Sequence, residues 1–191
     1  MRKHPAVFLD RDGVINEDDD NYIKSWDEYS FFPGALEALR RLREAGLEVY
    51  LVTNQAGVGK GVFPYRNLQD ILLRLRLTAR DHGGLIHGVA YCCHRKDECC
   101  PCRKPQPGML HKLAAKYGLD LERSVLVGDS CTDVQAGQAV GCTTVFLHTR
   151  EPGRIAEHLA QCDPPPDYQA DSLAEAVDIV IPLLQEQLAK R

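Results

Sequence analysis

Short apolar runs alternate with amphipathic segments along most of the chain. The runs that predict buried strands lie at 6–10, 47–53, 86–92, 124–129 and 143–147. Between them, apolar residues recur at helical spacing, as Leu36, Leu39 and Leu42 do in the first such segment. The segments that predict helices are 33–46, about 64–81, 107–118, about 131–140, 153–161 and 172–190. A proline at position 182 predicts a kink or a restart in the last helix.

This alternation predicts an α/β fold with a doubly wound, mostly parallel sheet that is covered by helices on both faces. In such sheets, ligands bind at the carboxyl ends of the strands. Four predicted strands carry polar residues at that end, namely Asp10, Thr53, Cys92 and Asp129. We therefore expect the functional site at this edge of the sheet.

Length and composition indicate one globular domain over residues 1–191. The chain is 44% hydrophobic and 26% charged, which argues against disorder and against a membrane protein. A net charge of −4 without a long basic stripe argues against nucleic acid as a partner. No apolar run approaches the ~20 residues of a membrane span, and the first strand is too short for a signal sequence. We expect a cytoplasmic protein that does not bind membranes.

Two pairs of acids follow the first and fourth predicted strands. Asp10 and Asp12 lie in DRDG, and Asp129 and Asp133 lie in VGDSCTD. Carboxylates that converge from separate strands repel one another unless a cation lies between them, and oxygen ligands suit Mg²⁺. A single Asp-x-Asp is equally consistent with a solvated turn. The position of both pairs directly after strands favours a magnesium site.

Four motifs, FLDRDGVIN, VTNQAG, CRKPQPGM and VGDSCTD, resemble those of the haloacid dehalogenase superfamily of aspartate-nucleophile phosphatases. They occur in the order of that family and cover residues 6 to about 147. The resemblance implies strand order 3-2-1-4-5 and an Mg²⁺-dependent phosphatase that acts through an aspartyl-phosphate. The segment between Asp12 and Pro33 is too short for a large cap domain, so we expect an open site.

The resemblance also implies a role for each motif residue. Asp10 would attack phosphorus, and Asp12 would protonate the leaving oxygen and later deprotonate water. Thr53 would donate a hydrogen bond to the phosphoryl group, and Lys104 would neutralise its charge.

For the metal, the resemblance implies Asp10, the main-chain carbonyl of Asp12, and Asp129 as the Mg²⁺ ligands. It gives Asp133 a different role, in which this acid positions Lys104 or the metal-bound waters.

The loop from 92 to 102 contains five of the eight cysteines of the chain and one histidine. A structural zinc ion needs four ligands, and the pairs Cys92-x-His94 and Cys100-x-Cys102 can each bind one metal. Cys93 and Cys99 are left over, and the spacing leaves open that either replaces one of the four. Reduced thiols without a metal are the alternative reading of the cluster.

This loop resembles the zinc loop of the heptose bisphosphate phosphatases and of the histidinol-phosphate phosphatase domain, where C-x-H…C-x-C-R-K-P carries the four ligands. The resemblance implies structural Zn²⁺ bound by Cys92, His94, Cys100 and Cys102. Such a brace would fix the backbone next to Arg103 and Lys104 without taking part in the reaction.

The segment that follows DRDG, INEDDDNYIKSWDEYSFFPGALEAL, resembles the corresponding segment of the heptose bisphosphate phosphatases. This resemblance implies removal of the C7 phosphate of a heptose 1,7-bisphosphate, whose product would serve the cell envelope. Histidinol phosphate is the alternative substrate, and a non-catalytic, zinc-stapled binding module is the alternative of another class. Because no cap supplies dimer contacts, we expect a monomer. The implied contacts with a small phosphorylated sugar are Asp18, Asp19, Asp20, Asn21, Tyr22, Asn54, Gln55, Arg103 and Ser130.

Overall fold

A six-stranded sheet, parallel throughout, lies at the centre of the protein. The structure is a computed structural model that describes residues 3–149 and 152–189. The strand order is β3-β2-β1-β4-β5-β6. The strands are β1 (Val7–Leu9), β2 (Val49–Asn54), β3 (Gly88–Cys92), β4 (Val125–Gly128), β5 (Thr143–Leu147) and β6 (Tyr168–Ala170).

The predicted fold class and the order 3-2-1-4-5 are confirmed, and β6 extends the sheet beyond β5. The sequence did not predict β6 because it has only three residues, two of which are exposed. A tertiary contact holds this segment in place. Asp167, directly before β6, accepts hydrogen bonds from the backbone N–H and the hydroxyl of Thr144, at 2.7 and 2.8 Å.

Helices cover both faces of the sheet. The helices are α1 (Ala35–Glu44), α2 (Ala56–Gly59), α3 (Tyr65–Asp81), α4 (Gly108–Tyr117), α5 (Cys131–Gln138), α6 (Pro152–Ala160) and α7 (Leu173–Ala189). Helices α1 and α7 pack together over one face, and α4 and α5 pack on the other. Side chains alternate along β1, so Val7 and Leu9 join the first core while Phe8 joins the second. Both faces are therefore buried, as parallel strands require.

Two helices differ from the sequence-based prediction. Between the predicted strand that ends at 53 and the helix predicted from about 64, where the apolar pattern predicts no helix, lies the short helix α2. Helix α7 is continuous through Pro182, so the restart that we gave as one of two outcomes there does not occur. Val177, Val180 and Leu184 are buried on both sides of this proline, and their packing supports both halves of the helix.

The part of the chain that the structure describes has no large cap between β1 and α1. That stretch holds only loops, isolated bridges and the 3₁₀ turn Trp26–Glu28. Among the same residues, no helix combines the length and the apolar character that a membrane span requires. The assignment of residues 1–191 to a single domain stays a prediction.

Candidate active site

The carboxyl edge of the central strands forms an open cavity of about 310 Å³. Asp10 directly follows β1, and Thr53 lies near the end of β2. Lys104, from the loop before α4, reaches the same cavity. The predicted site residues that line it are Asp10, Asp12, Asp18, Asp19, Asp20, Tyr22, Thr53, Asn54, Gln55, Lys104 and Ser130. Tertiary structure thus brings together residues that are up to 120 positions apart in the sequence.

The ammonium of Lys104 is almost fully buried and has three acceptors around it. Its Nζ lies 2.9 Å from Asp10 Oδ2 and 2.5 Å from Asp133 Oδ1, and it donates to the carbonyl of Val52 at 2.8 Å. Burial alone would lower the pKa of Lys104. The two carboxylates more than offset this effect, so the pKa lies above its ordinary value and the side chain stays charged.

Asn54 fixes the backbone of Lys104 across 50 positions of sequence. Its Nδ2 donates to the carbonyl of Lys104 at 3.1 Å, and its Oδ1 accepts the N–H of Lys104 at 3.0 Å. Both polar atoms of this amide are therefore engaged with the backbone of the lysine. Although Asn54 lines the cavity, its geometry is that of a residue that positions Lys104.

The carboxyl group of Asp10 lies in a buried and strongly charged environment. Burial raises its pKa to about 7, while the neighbouring Lys104 acts in the opposite direction and Asp133 adds to the rise. Asp10 Oδ1 also accepts the N–H of Arg11 at 2.7 Å. A divalent cation next to this group would favour the ionised form that a nucleophile needs.

The residues present fit a small, hard cation. Oxygens of Asp10, Asp129 and Asp133 lie within 4.8 Å of one another, and the last two residues are fully buried. Both oxygens of Asp133 are already engaged: Oδ1 with Lys104, and Oδ2 with the N–H and hydroxyl of Ser130, at 3.2 and 2.6 Å. This leaves Asp10 and Asp129 as the acids best suited to Mg²⁺, which prefers oxygen ligands.

Gly13 gives the carboxylate of Asp129 the space that it occupies. A Cβ at position 13 would lie 1.8 Å from Asp129 Oδ2, and the residue has φ +78°. Only glycine meets both conditions without strain. The turn after DRD therefore leaves room for the carboxylate of Asp129 beside the first pair of acids.

Three side chains hold the carboxylate of Asp12, and the sequence analysis missed two of them. Arg11 and Asn16 donate to it from the same loop, and Gln55 donates from the start of α2. The only sequence signal for Arg11 was a basic residue between two acids. Nothing in the sequence pattern pointed to Asn16.

The predicted substrate loop from 18 to 22 lies at the rim of the cavity, with one exception. Asn21 does not line it: the residue is exposed, and its backbone N–H donates to Asp19 Oδ1 at 2.6 Å. Tyr22 does line the cavity, and its hydroxyl accepts a hydrogen bond from Lys60 at 2.8 Å. Ser130 also lines the cavity, although its hydroxyl donates to Asp133.

A second cavity of about 650 Å³ adjoins the first. The two share Asn54, Lys104 and Thr132 in their walls. Arg103 lines only this second cavity, where its Nη1 donates to the carbonyl of His94 at 3.4 Å. The side chain of Arg103 therefore lies outside the phosphoryl-sized cavity and next to it.

The loop from 92 to 102, called the thiol loop below, brings four ligand atoms together. Among the described residues, the set within 4.8 Å is Cys92, His94, Cys100 and Cys102. Their Sγ and Nδ1 atoms lie 3.2 to 3.5 Å apart. A tetrahedral zinc ion with Zn–S bonds of about 2.3 Å would place its sulfurs about 3.8 Å apart. These residues therefore fit zinc after a small expansion.

The two leftover cysteines are outside this set. Cys99 is exposed, and Cys93 packs by its backbone against the end of α2. A Cβ at Gly59 would lie 2.2 Å from the carbonyl oxygen of Cys93. The thiol loop thus packs closely against the segment that follows Thr53 and Asn54.

A parallel sheet with two acids on separate strands, facing a buried lysine, defines the architecture of the haloacid dehalogenase superfamily. A HAD-hydrolase-like family model matches residues 101–176. The D-glycero-beta-D-manno-heptose-1,7-bisphosphate 7-phosphatase of Pseudomonas aeruginosa is 43% identical over 143 residues, which is 75% of this chain and 80% of that protein. The enzyme of the same name from Pseudomonas putida is 42% identical over 151 residues, 79% of this chain and 86% of that protein.

A solved structure agrees with these sequence relatives. The D,D-heptose 1,7-bisphosphate phosphatase of Bordetella bronchiseptica, complexed with magnesium and phosphate, superposes with a TM-score of 0.84. It is 37% identical, and the match covers 95% of this chain and 99% of that one. The chain therefore belongs to the haloacid dehalogenase superfamily and, within it, to the family of these heptose bisphosphate phosphatases.

Proposed function

We propose that this protein is a magnesium-dependent phosphatase that removes the C7 phosphate of D-glycero-β-D-manno-heptose 1,7-bisphosphate through an aspartyl-phosphate. The observation that carries the proposal is the buried contact of 2.9 Å between Asp10 Oδ2 and Lys104 Nζ, with Asp129 within 4.8 Å of Asp10. A nucleophilic carboxylate, a fixed cation and a second acid then meet at one point of an open cavity. The family relationship supplies the sugar and the choice of phosphate.

In the first step, an oxygen of Asp10 attacks phosphorus and the ester P–O bond breaks. The leaving sugar oxygen takes a proton from Asp12, which lines the same cavity. Thr53 and Lys104 bind the transferring phosphoryl oxygens, and the charge of Lys104 offsets the negative charge on them. Asn54 and Asp133 keep the lysine in place from its backbone and its ammonium.

In the second step, Asp12 takes a proton from water, which attacks the aspartyl-phosphate. Inorganic phosphate leaves and the carboxylate of Asp10 is restored. Mg²⁺, held by Asp10, Asp129 and the main-chain carbonyl of Asp12, would supply further positive charge next to the phosphoryl group.

We assign the substrate contacts to the two loops that border the cavity. Asp18, Asp19, Asp20 and Tyr22 would contact sugar hydroxyls, and Arg103 would pair with the distal phosphate from the adjoining cavity. We assign structural zinc to the cysteine and histidine quartet. We further propose that the protein acts as a monomer in the cytoplasm, where its thiols stay reduced.

A substrate panel tests the proposal. Phosphate release is measured with both anomers of the heptose bisphosphate, histidinol phosphate and an aryl phosphate, each with Mg²⁺ and with chelator. We expect the highest kcat/KM for the β anomer and no turnover after chelation. Faster turnover of histidinol phosphate would overturn the sugar assignment and leave the phosphatase assignment intact.

The variant Asp10→Asn tests the reaction type, since it keeps the volume of the side chain and removes the nucleophile. We expect its activity to fall to background on every ester. Retention of wild-type activity would refute the aspartyl-phosphate mechanism. Equal background activity in the wild type and in this variant would favour a non-catalytic binding module.

A further inference from the structure

Arg11 is the largest fully buried side chain in the described part of the chain, with 1% of its surface exposed. It lies between the two acids of DRDG and takes part in the wall of the active-site cavity. A guanidinium is costly to bury because it must give up its hydration. An arginine at this position therefore needs a physical reason beyond packing.

The guanidinium of Arg11 forms hydrogen bonds with both oxygens of the Asp12 carboxylate. Arg11 Nε donates to Asp12 Oδ1 at 2.8 Å, and Nη2 lies 2.5 Å from Oδ1 and 2.6 Å from Oδ2. Bidentate pairs of this kind fix the plane of a carboxylate as well as its position. Asp12 is thus held by the residue that directly precedes it.

Two further donors complete the arrangement. Asn16 Nδ2 donates to Asp12 Oδ1 at 2.9 Å, and Gln55 Nε2 donates to Oδ2 at 2.8 Å. The same Nε2 also donates to Thr53 Oγ1 at 2.9 Å, which links Asp12 to a phosphoryl-binding residue. The carboxylate cannot turn without breaking bonds to groups from two different loops.

A purely structural salt bridge does not account for all of these contacts. Among the described residues, Arg11 Nη1 is buried without a hydrogen-bond partner, so the guanidinium does not recover the full cost of its burial. Apolar residues often replace a buried ion pair without loss of stability. The side-chain hydrogen bonds of Arg11 are all directed to Asp12, to which we assign proton transfer.

We propose that Arg11 is a positioning residue for proton transfer, which holds the carboxyl group of Asp12 towards the leaving oxygen of the ester. The inference rests on the proposed function, in which Asp12 gives a proton to the leaving group. In this proposal Arg11 acts through Asp12 and has no direct role in the chemistry at phosphorus.

The test compares two leaving groups. A sugar alkoxide leaves slowly unless it is protonated, whereas p-nitrophenolate leaves without help. The quantity measured is kcat/KM, because it reports the step in which the leaving group departs. For Arg11→Met, we expect kcat/KM to fall about 100-fold on the sugar bisphosphate. On p-nitrophenyl phosphate, we expect a change of less than about threefold, since protonation contributes little there.

A double-mutant cycle and a remote control separate positioning from general damage. In an Asp12→Asn background, Arg11→Met should have no further effect on the sugar bisphosphate, since there is no proton donor left to position. Arg123→Met is the matched control, because Arg123 is part-buried and donates to the carbonyl of Gln187 away from the cavity. We expect this control to keep wild-type kcat/KM on both esters.

Equal losses on both esters, or an undiminished effect in the Asp12→Asn background, would overturn the inference. Arg11→Lys keeps the charge but cannot form the bidentate pair, and it should show a smaller loss that is again selective for the sugar ester. If neither Arg11 variant folds, Arg11 serves the stability of the fold and the inference is wrong. A wild-type protein that hydrolyses neither ester would count against the phosphatase assignment itself.

Discussion

At the scale of single residues, the position of the Asp129 carboxylate depends on the absence of a side chain at Gly13. The carboxylate of Asp129 occupies the space where any other residue at 13 would place its Cβ. The positive φ of Gly13 adds a second demand, because left-handed backbone costs other residues roughly 1–2 kcal/mol. The place of the Asp129 carboxylate beside the DRDG turn thus depends on one backbone position.

We predict that Gly13→Ala loses magnesium affinity and activity beyond what backbone strain explains. Its Cβ would displace the carboxylate of Asp129, and we expect Mg²⁺ to bind about 10- to 100-fold more weakly. Gly46→Ala is the matched control, because Gly46 has φ +74° and no atom within 4 Å of its Cβ position. Mg²⁺ titrations of activity and denaturant unfolding measure both effects.

In the control, only the strain should appear, as a loss of roughly 1–2 kcal/mol in the free energy of unfolding. If Gly13→Ala binds Mg²⁺ as tightly as Gly46→Ala does, the carboxylate of Asp129 is not required where the structure places it.

At the scale of elements, the thiol loop connects β3 to the residues before α4. Four ligand atoms converge in it within eleven positions of sequence, and Arg103 and Lys104 follow directly. The loop has no apolar core of its own, since most of its residues are exposed or half-buried. A metal ion can replace such a core by linking the two ends of the loop.

We predict that Cys100→Ser abolishes zinc binding, speeds amide hydrogen exchange over 92–104, and lowers kcat. A catalytic group displaced by about 1 Å can cost about 100-fold in rate, and Lys104 lies only four positions from this ligand. Cys99→Ser is the control, because Cys99 is exposed and lies outside the ligand set. Elemental analysis, hydrogen exchange and steady-state kinetics are the measurements. Unchanged exchange in a zinc-free variant would contradict the bracing role.

At the scale of the whole molecule, the described residues include no large cap, and we propose that two loops select the substrate. The loop from 18 to 22 borders the phosphoryl cavity, and the thiol loop borders the adjoining one. These cavities share walls, and we propose that a molecule with two phosphates extends from one into the other. A small monophosphate ester needs only the first.

We predict that Arg103→Ala raises KM for the heptose bisphosphate about 10- to 100-fold and leaves KM for p-nitrophenyl phosphate unchanged. A charge-assisted bond contributes about 1.5–3 kcal/mol, which sets this range. Arg95→Ala is the control on the same loop, because the Nε of Arg95 already donates to Asp97 Oδ1 at 3.1 Å. Equal rises in KM for both esters would show that Arg103 acts on the phosphoryl site and not on a distal phosphate.

Much of the fold could be predicted because its signals are local. Five strands and six helices follow from apolar periodicity, and parallel order follows from their alternation. The strand β6 and the short helix α2 were missed, because neither contains enough residues to show a period. A restart of the last helix at Pro182 was an expected outcome and does not occur, since tertiary packing keeps the helix continuous.

For the site, the sequence by itself determined which chemical groups are available and on which strands they lie. The main groups can be recognised from the sequence because each lies next to a strand end or within a few positions of its partner. This holds for Asp10, Asp129 and the cysteine and histidine pairs. Only the tertiary structure decided how these groups are held. Asn54 forms hydrogen bonds with the backbone of Lys104, which lies 50 positions away in the sequence. Gln55 forms a hydrogen bond with Asp12, which lies 43 positions away. Such contacts form between chain segments that no local pattern relates, because the packing of the sheet alone brings them within hydrogen-bond distance.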